Sequence, residues 1–199
     1  MGFPKHIEHN GEIQVLQYVE HLWPQGTLAQ LWTTIMADKL TPLLWGTGIP
    51  LSLNEFIRFF DPFANRVLFI PLYVPEGEEM KLEQMMGAMW ATEYENHHKA
   101  WVHFLFFKKC WGDECPLIAG RKGIEMIFSA PFNLQMLLYR VNDENQFAKG
   151  MVKKLNAVKI GVVPNFYKHG ENCYYGAEFG YILRDDFMRS AKNGHRRSG

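Results

Sequence analysis

Ala100-Trp101-Val102-His103-Phe104-Leu105-Phe106-Phe107-Lys108-Lys109 and, a short way on, Gly120-Arg121-Lys122-Gly123-Ile124 decide how this chain folds. The first stretch is aromatic and β-branched with almost no polar relief, the composition of a strand buried in the middle of a sheet. The second combines two glycines with two cations just before Ile124, Ile127 and Phe128, which recur at helical spacing and stop short of Pro131. A glycine-rich helix start offers unpaired backbone N–H groups and the positive end of a dipole to an anion. Together they read as a central strand feeding an anion-binding loop and a helix.

Working outward, the chain after this pair alternates strand and helix. Leu134–Val141 reads as a strand, and Asp143, with Gln146 three residues on, as the cap of a helix whose inner face holds Phe147, Ala148, Met151, Val152 and Leu155. Val158–Val163 and Tyr175–Leu183 read as two closing strands, the second alternating Ala177, Phe179, Tyr181 and Leu183 on one face. Before the pair, Val67–Val74 is a near-continuous apolar run whose Pro71 suggests an edge or a bulge. Residues 81–94 are read as a strand because Gly87 interrupts their helical propensity. The first 60 residues read as mainly helical: 12–22 with Val15, Tyr18, Val19 and Leu22 on one face, then the stripe Leu28, Leu31, Trp32, Ile35 and Met36. A loop over 41–50 follows, and then a short helix opened by the capping box Ser52 to Glu55, burying Phe56 and Phe59. Residues 189–199, with Arg189, Lys192, Arg196 and Arg197 and no apolar period, read as a flexible basic tail behind a single domain spanning 1–188.

Composition narrows the function classes. Hydrophobic residues at 47% against 21% charged residues suit a packed domain and exclude a disordered chain. Twenty-one basic and 21 acidic residues cancel, so no global field draws the protein to nucleic acid or to an anionic membrane. The opening ten residues hold no apolar signal segment, His6 stands where a myristoylation motif wants Ser or Thr, and no apolar run spans a bilayer. Three cysteines make no even disulfide framework, so the expectation is a soluble cytoplasmic protein. Cys110 and Cys115, with His97, His98 and His103 upstream, lack the second close ligand pair that a zinc site requires, and no metal is expected.

The order of elements, Gly120-Arg121-Lys122-Gly123-Ile124, Asn145-Gln146-Phe147-Ala148 and the ending Lys154-Leu155-Asn156-Ala157 together resemble the Gcn5-related N-acetyltransferases over residues 50–187. Asn156 suits that family's glycine position because asparagine tolerates the left-handed end of a helix. The resemblance implies an α/β fold. Its central sheet is mixed, mostly antiparallel and splayed between two middle strands; helices lie on both faces, and the N-terminal helices are extra. It implies acetyl-CoA, or another acyl-CoA, as cofactor. Phe104, Phe106, Gly120, Arg121, Lys122, Gly123, Ile124 and Asn145 would hold it, the strand bulging at 103–106 to expose backbone N–H groups. It implies acyl transfer to an amine on a small molecule or protein, for which the candidate bases are Glu93, Glu95, His98 and His103, and the candidate acids Tyr139, Tyr174 and Tyr175. His103, Glu93 and Tyr139 lead these. Aligned on Gly123, the chain departs from the family at Gly120, at Glu125 and at Val152, where many members carry an acidic tyrosine. The chain is also similar to small acetyltransferase-like proteins of tailed phages. A non-catalytic assembly or virion component, with contacts or oligomerisation through the apolar N-terminal helices, is therefore the alternative.

Overall fold

The computed structural model describes residues 11–40, 52–60, 65–112, 114–168 and 174–194. Among them, seven strands form one sheet: β1 (Gly11–Gln17), β2 (Arg66–Pro75), β3 (Gly87–Glu95), β4 (Lys99–Phe106), β5 (Met136–Asn142), β6 (Val158–Lys168) and β7 (Tyr174–Leu183), in the order β1-β2-β3-β4-β5-β7-β6. Five helices accompany it: α1 (Thr27–Ala37), α2 (Leu53–Phe59), α3 (Cys115–Phe128), α4 (Gln146–Lys154) and α5 (Arg184–Gly194). Every neighbouring pair is antiparallel except β4 and β5.

The helices take both faces of the sheet. On one, α1 and α2 set Leu28, Leu31, Ile35, Phe56 and Phe60 against Leu68, Ile70, Trp90 and Leu105. On the other, α3, α4 and α5 set Ile124, Phe128, Met151, Leu155 and Phe187 against Val15, Phe69, Met89, Val102 and Leu137. Each such side chain fully buried contributes about 1.5–3 kcal/mol. The start of α2 is as its sequence requires: Ser52 Oγ accepts from the Glu55 backbone N–H at 3.3 Å and donates to Glu55 Oε2 at 3.2 Å. The loop read over 41–50 lies outside the described residues.

Tertiary structure decides four local readings. Residues 12–22 are not a helix; β1 pairs with β2 from Gly11↔Pro75 to Gln17↔Phe69, buries Ile13 and Val15 at period two, and leaves Leu22 on a solvent-facing 3₁₀ turn. Pro71 lies on no edge, since β2 pairs on both sides, but it does sit at an irregularity: the β2–β3 register shifts by one residue between Phe69↔Met89 and the bridge Leu72↔Met85. The Pro71 carbonyl, accepting from Met86 N–H, faces the β3 side, so the missing N–H costs no bond to β1. Along β7 Ala177, Phe179, Tyr181 and Leu183 share one face, on which Ala177 is fully buried and Phe179 and Tyr181 half-buried, while the opposite face, Gly176, Glu178, Gly180 and Ile182, is buried throughout. Arg189 and Lys192 lie on α5, which continues through Gly194.

Two features position the site. β4 and β5 pair only from Lys99↔Met136 to Trp101↔Leu138, then part. The expected bulge at 103–106 is absent: β4 keeps unbroken register with β3 from Trp101 to Phe106, and the irregularity lies on β3 between Thr92 and Glu95, where Glu93 has φ 51°. Each parted strand stays fully paired on its outer side, β5 with β7 from Met136↔Leu183 to Asn142↔Ala177, so the sheet opens without losing either ladder. Among the described residues no helix is long and apolar enough to cross a membrane.

Candidate active site between strands β4 and β5

Beyond Trp101 the opening forms a cavity of about 660 Å³, lined by Val102–Phe106 from β4, Tyr139–Asn142 from β5, and the first turns of α4. Strand alternation decides what β4 presents to it. The Phe107 N–H donates to Met86 O on the β3 side, and His98 O accepts from Gln135 and Met136 N–H on the β5 side. The peptide groups of Val102, Phe104 and Phe106 therefore point toward β5, where no strand lies beside them. The Phe106 carbonyl takes the Trp111 indole N–H at 2.9 Å, and Trp111 stacks on Phe147 of α4 with ring centroids 5.9 Å apart. Both rings line the cavity.

The predicted cofactor residues divide sharply. Phe104, Phe106 and Asn145 line the cavity. Gly120, Arg121, Lys122, Gly123 and Ile124 do not, and they form no loop: α3 begins five residues before Gly120, at Cys115, so their N–H groups fall inside the helix. The two glycines are buried and face methionine side chains. A Cβ on Gly120 would stand 2.4 Å from Met151 Cε, and one on Gly123 2.0 Å from Met89 Cε. Ile124 is fully buried, Arg121 donates to Lys154 O, and Lys122 reaches Glu12 and Ile13 O on β1. Glu125 is simply a solvent-facing helical residue. The segment that does join β4 to α3 contains Lys108, Trp111 and Gly112, the last with φ 86°, and its Lys108 and Trp111 line the cavity. Asn145, not Asp143, caps α4, its Oδ1 accepting from Ala148 N–H at 3.0 Å, and Asn156 ends that helix at φ 58°.

The catalytic candidates divide too. Glu93 sits exposed on the β3 irregularity, away from the cavity. Glu95 and His98 pair with each other at 3.1 Å on an exposed turn; the bonds from His98 and Lys99 hold the Glu95 carboxyl below its ordinary range. His103 lines the cavity, stacked on Trp90 at 5.2 Å with Nε2 3.1 Å from Thr92 Oγ1. Burial, then Arg140, then Arg66 push its pKa down to about 4, so the imidazole is neutral at physiological pH and a weak proton acceptor. Tyr139 also lines the cavity. Its hydroxyl donates to Glu178 Oε1 at 3.4 Å, and burial followed by that carboxylate pushes its pKa up to about 12. Glu178, buried on β7, is balanced by Lys159 Nζ at 2.9 Å. Tyr174 is exposed, whereas Tyr175 and its cross-strand partner Tyr167 both line the cavity. Val152 does so from α4 as a buried aliphatic wall. Sequence reasoning missed Arg140 and Tyr167; a charged residue inside the apolar run Leu137-Leu138-Tyr139-Arg140-Val141 was the available signal. Among the described residues no group of three or more His, Cys, Asp or Glu is placed to hold a metal ion.

A seven-stranded, mostly antiparallel sheet, opened between a parallel middle pair and carrying helices on both faces, is the fold of the Gcn5-related N-acetyltransferases. The spermidine N-acetyltransferase of Vibrio cholerae, solved with CoA and spermine, superposes with a TM-score of 0.69 at 13% identity, over 88% of this chain and 98% of that one. The ribosomal-protein-S5-alanine acetyltransferase of Vibrio fischeri gives 0.66 at 14% identity, over 92% and 97%. A GNAT-family acetyltransferase of Streptococcus pneumoniae gives 0.65 at 16%, over 86% and 99%. No protein-family model matches the sequence, and no curated protein does.

Proposed function

We propose that this chain is an N-acyltransferase that moves an acetyl group from acetyl-CoA to a primary amine. The observation that carries the reading is the opened β4–β5 pair. Along it, the peptide groups of Val102 and Phe104 and the N–H of Phe106 face a cavity with no strand beside them. Such a row suits a ligand that itself carries amides in sequence, as the pantetheine arm of CoA does, because an extended amide chain beside a strand forms a ladder. The structural neighbour solved with CoA supports the same cofactor. In this reading a β4 N–H polarises the thioester carbonyl, Asn145 and Ala148 border the pantetheine, and Lys108 stands near the phosphates. The amine approaches from the α1/α2 face, beside neutral His103 and Tyr167. The retained cavity favours this reading over a non-catalytic assembly module, which would gain by filling it with side chains.

The test is isothermal titration with acetyl-CoA, on the wild type and on Ala148→Trp, which places an indole in the cleft from a half-buried helical position. The expected result is micromolar binding by the wild type, weakened about tenfold or more in the variant at unchanged melting temperature. Absence of heat at millimolar acetyl-CoA would sink the proposal and turn attention to protein partners.

A further inference from the structure

The acceptor end of the cleft carries an uncompensated positive charge. On β5 the side chains alternate: Tyr139 turns to the α3/α4 face and meets Glu178, so Arg140 projects from the α1/α2 face, where His103 also lies. There the guanidinium is backed by two aromatic rings, 5.6 Å from the centre of Phe166 and 6.0 Å from that of Trp101. Among the described residues no carboxylate lies within ion-pair distance of Arg140 or of Lys39, both of which line the cavity. Among the described residues that line the cavity Glu144 is the one acidic side chain, and the neighbouring Asp38 carboxylate accepts from the Lys108 backbone N–H at 2.7 Å. A polycationic acceptor would therefore meet like charge, whereas an anion would find a guanidinium fork already positioned and free to bind it in two places.

Resting on the acyltransferase reading, we infer that the acceptor is a small amine that also bears a carboxylate, and that Arg140 is the residue that selects it. In the transfer the amine nitrogen bonds to the thioester carbonyl carbon and the carbon–sulfur bond breaks. Of the two protons the ammonium sheds, one leaves to water and the other ends on the CoA sulfur. Arg140 stays outside these exchanges and acts by orienting the acceptor.

The experiment compares four acceptors with acetyl-CoA and the full chain: a dipeptide with a free carboxylate, its C-terminal amide, phosphoethanolamine and spermidine. The free-carboxylate dipeptide is expected to show a KM about tenfold or more below that of its amide, the range a charged hydrogen bond supplies. Arg140→Gln is expected to remove that difference by raising the dipeptide KM about tenfold or more, to that of the amide; Arg140→Lys restores part of it. Preference for spermidine, or an equal effect of Arg140→Gln on dipeptide and amide, overturns the inference while leaving the acyltransferase reading intact. Preference for phosphoethanolamine overturns the carboxylate assignment. Failure to bind acetyl-CoA at all overturns the acyltransferase reading itself, and this inference with it.

Discussion

Replacing His103 with glutamine should make the protein less sensitive to acid, and the size of the effect follows from where the imidazole sits. Burial and the charges of Arg140 and Arg66 bring its pKa to about 4 in the folded chain, against about 6.5 when unfolded. Between those values the unfolded chain binds the proton and the folded chain does not, so each step down in pH favours unfolding. The penalty is near zero at pH 7, about 2 kcal/mol at pH 5 and about 3 kcal/mol once pH 4 is reached. In a domain of this size 2 kcal/mol lowers the melting temperature by about 4–8 °C. His103→Gln keeps a hydrogen-bonding group beside Thr92 but cannot titrate, and all other groups remain common to both proteins. The assay is calorimetric melting of wild type and variant at pH 7 and pH 5, comparing the two drops. The wild type should lose several degrees more than the variant. Equal drops, or an NMR titration of the His103 ring with a midpoint between 6 and 7, would refute the reasoning and return His103 to candidacy as a general base.

Other consequences are smaller but equally checkable. Tyr139→Phe removes the donor to Glu178, and should cost about 1 kcal/mol in urea unfolding while changing turnover less than twofold, because a phenol held near 12 is a poor proton source for a thiolate; a hundredfold loss of kcat would reinstate it as the acid. Ser52→Ala, which strips the cap from α2, should lower stability by about 1 kcal/mol in the same assay with acetyl-CoA affinity unchanged. Gly150 lies in α4 with open space where a Cβ would go, so Gly150→Ala should raise stability by about 0.5–1 kcal/mol, read as a higher melting temperature.

The parts of the fold that were legible in the sequence are those whose signal is local. The stripe through Leu28, Leu31 and Ile35, the cap at Ser52, the apolar β2 and β4 and the left-handed Asn156 each carry their reason within a few residues. What escaped depends on distant partners. The segment after Gly11 has helical spacing, yet β2 offers it a ladder of seven residue pairs that a helix there would forfeit. Gly120 and Gly123 look like a phosphate loop because glycine has more than one use, and what excludes an anion nest is the helix start at Cys115, which places both inside α3. The same holds for charge: whether Arg140 or Lys159 has a carboxylate beside it is decided across strands, and sequence distance conceals both answers.

This division bears on why the shape is recognisable while the sequence is not. The β4 side of the cleft is built from peptide groups, and any residue that keeps β4 extended and β5 parted from it presents the same N–H and C=O row. Side-chain identity there is constrained only by packing on either face, which many apolar residues satisfy. Chains at 13–16% identity can thus share the fold. At the acceptor end the constraint reverses, since a guanidinium laid across Trp101 and Phe166 has no backbone substitute. On the proposed reading, then, the cofactor is written in the sheet and the acceptor in the side chains, and Arg140, Tyr167 and His103 are where a change of residue would change the substrate.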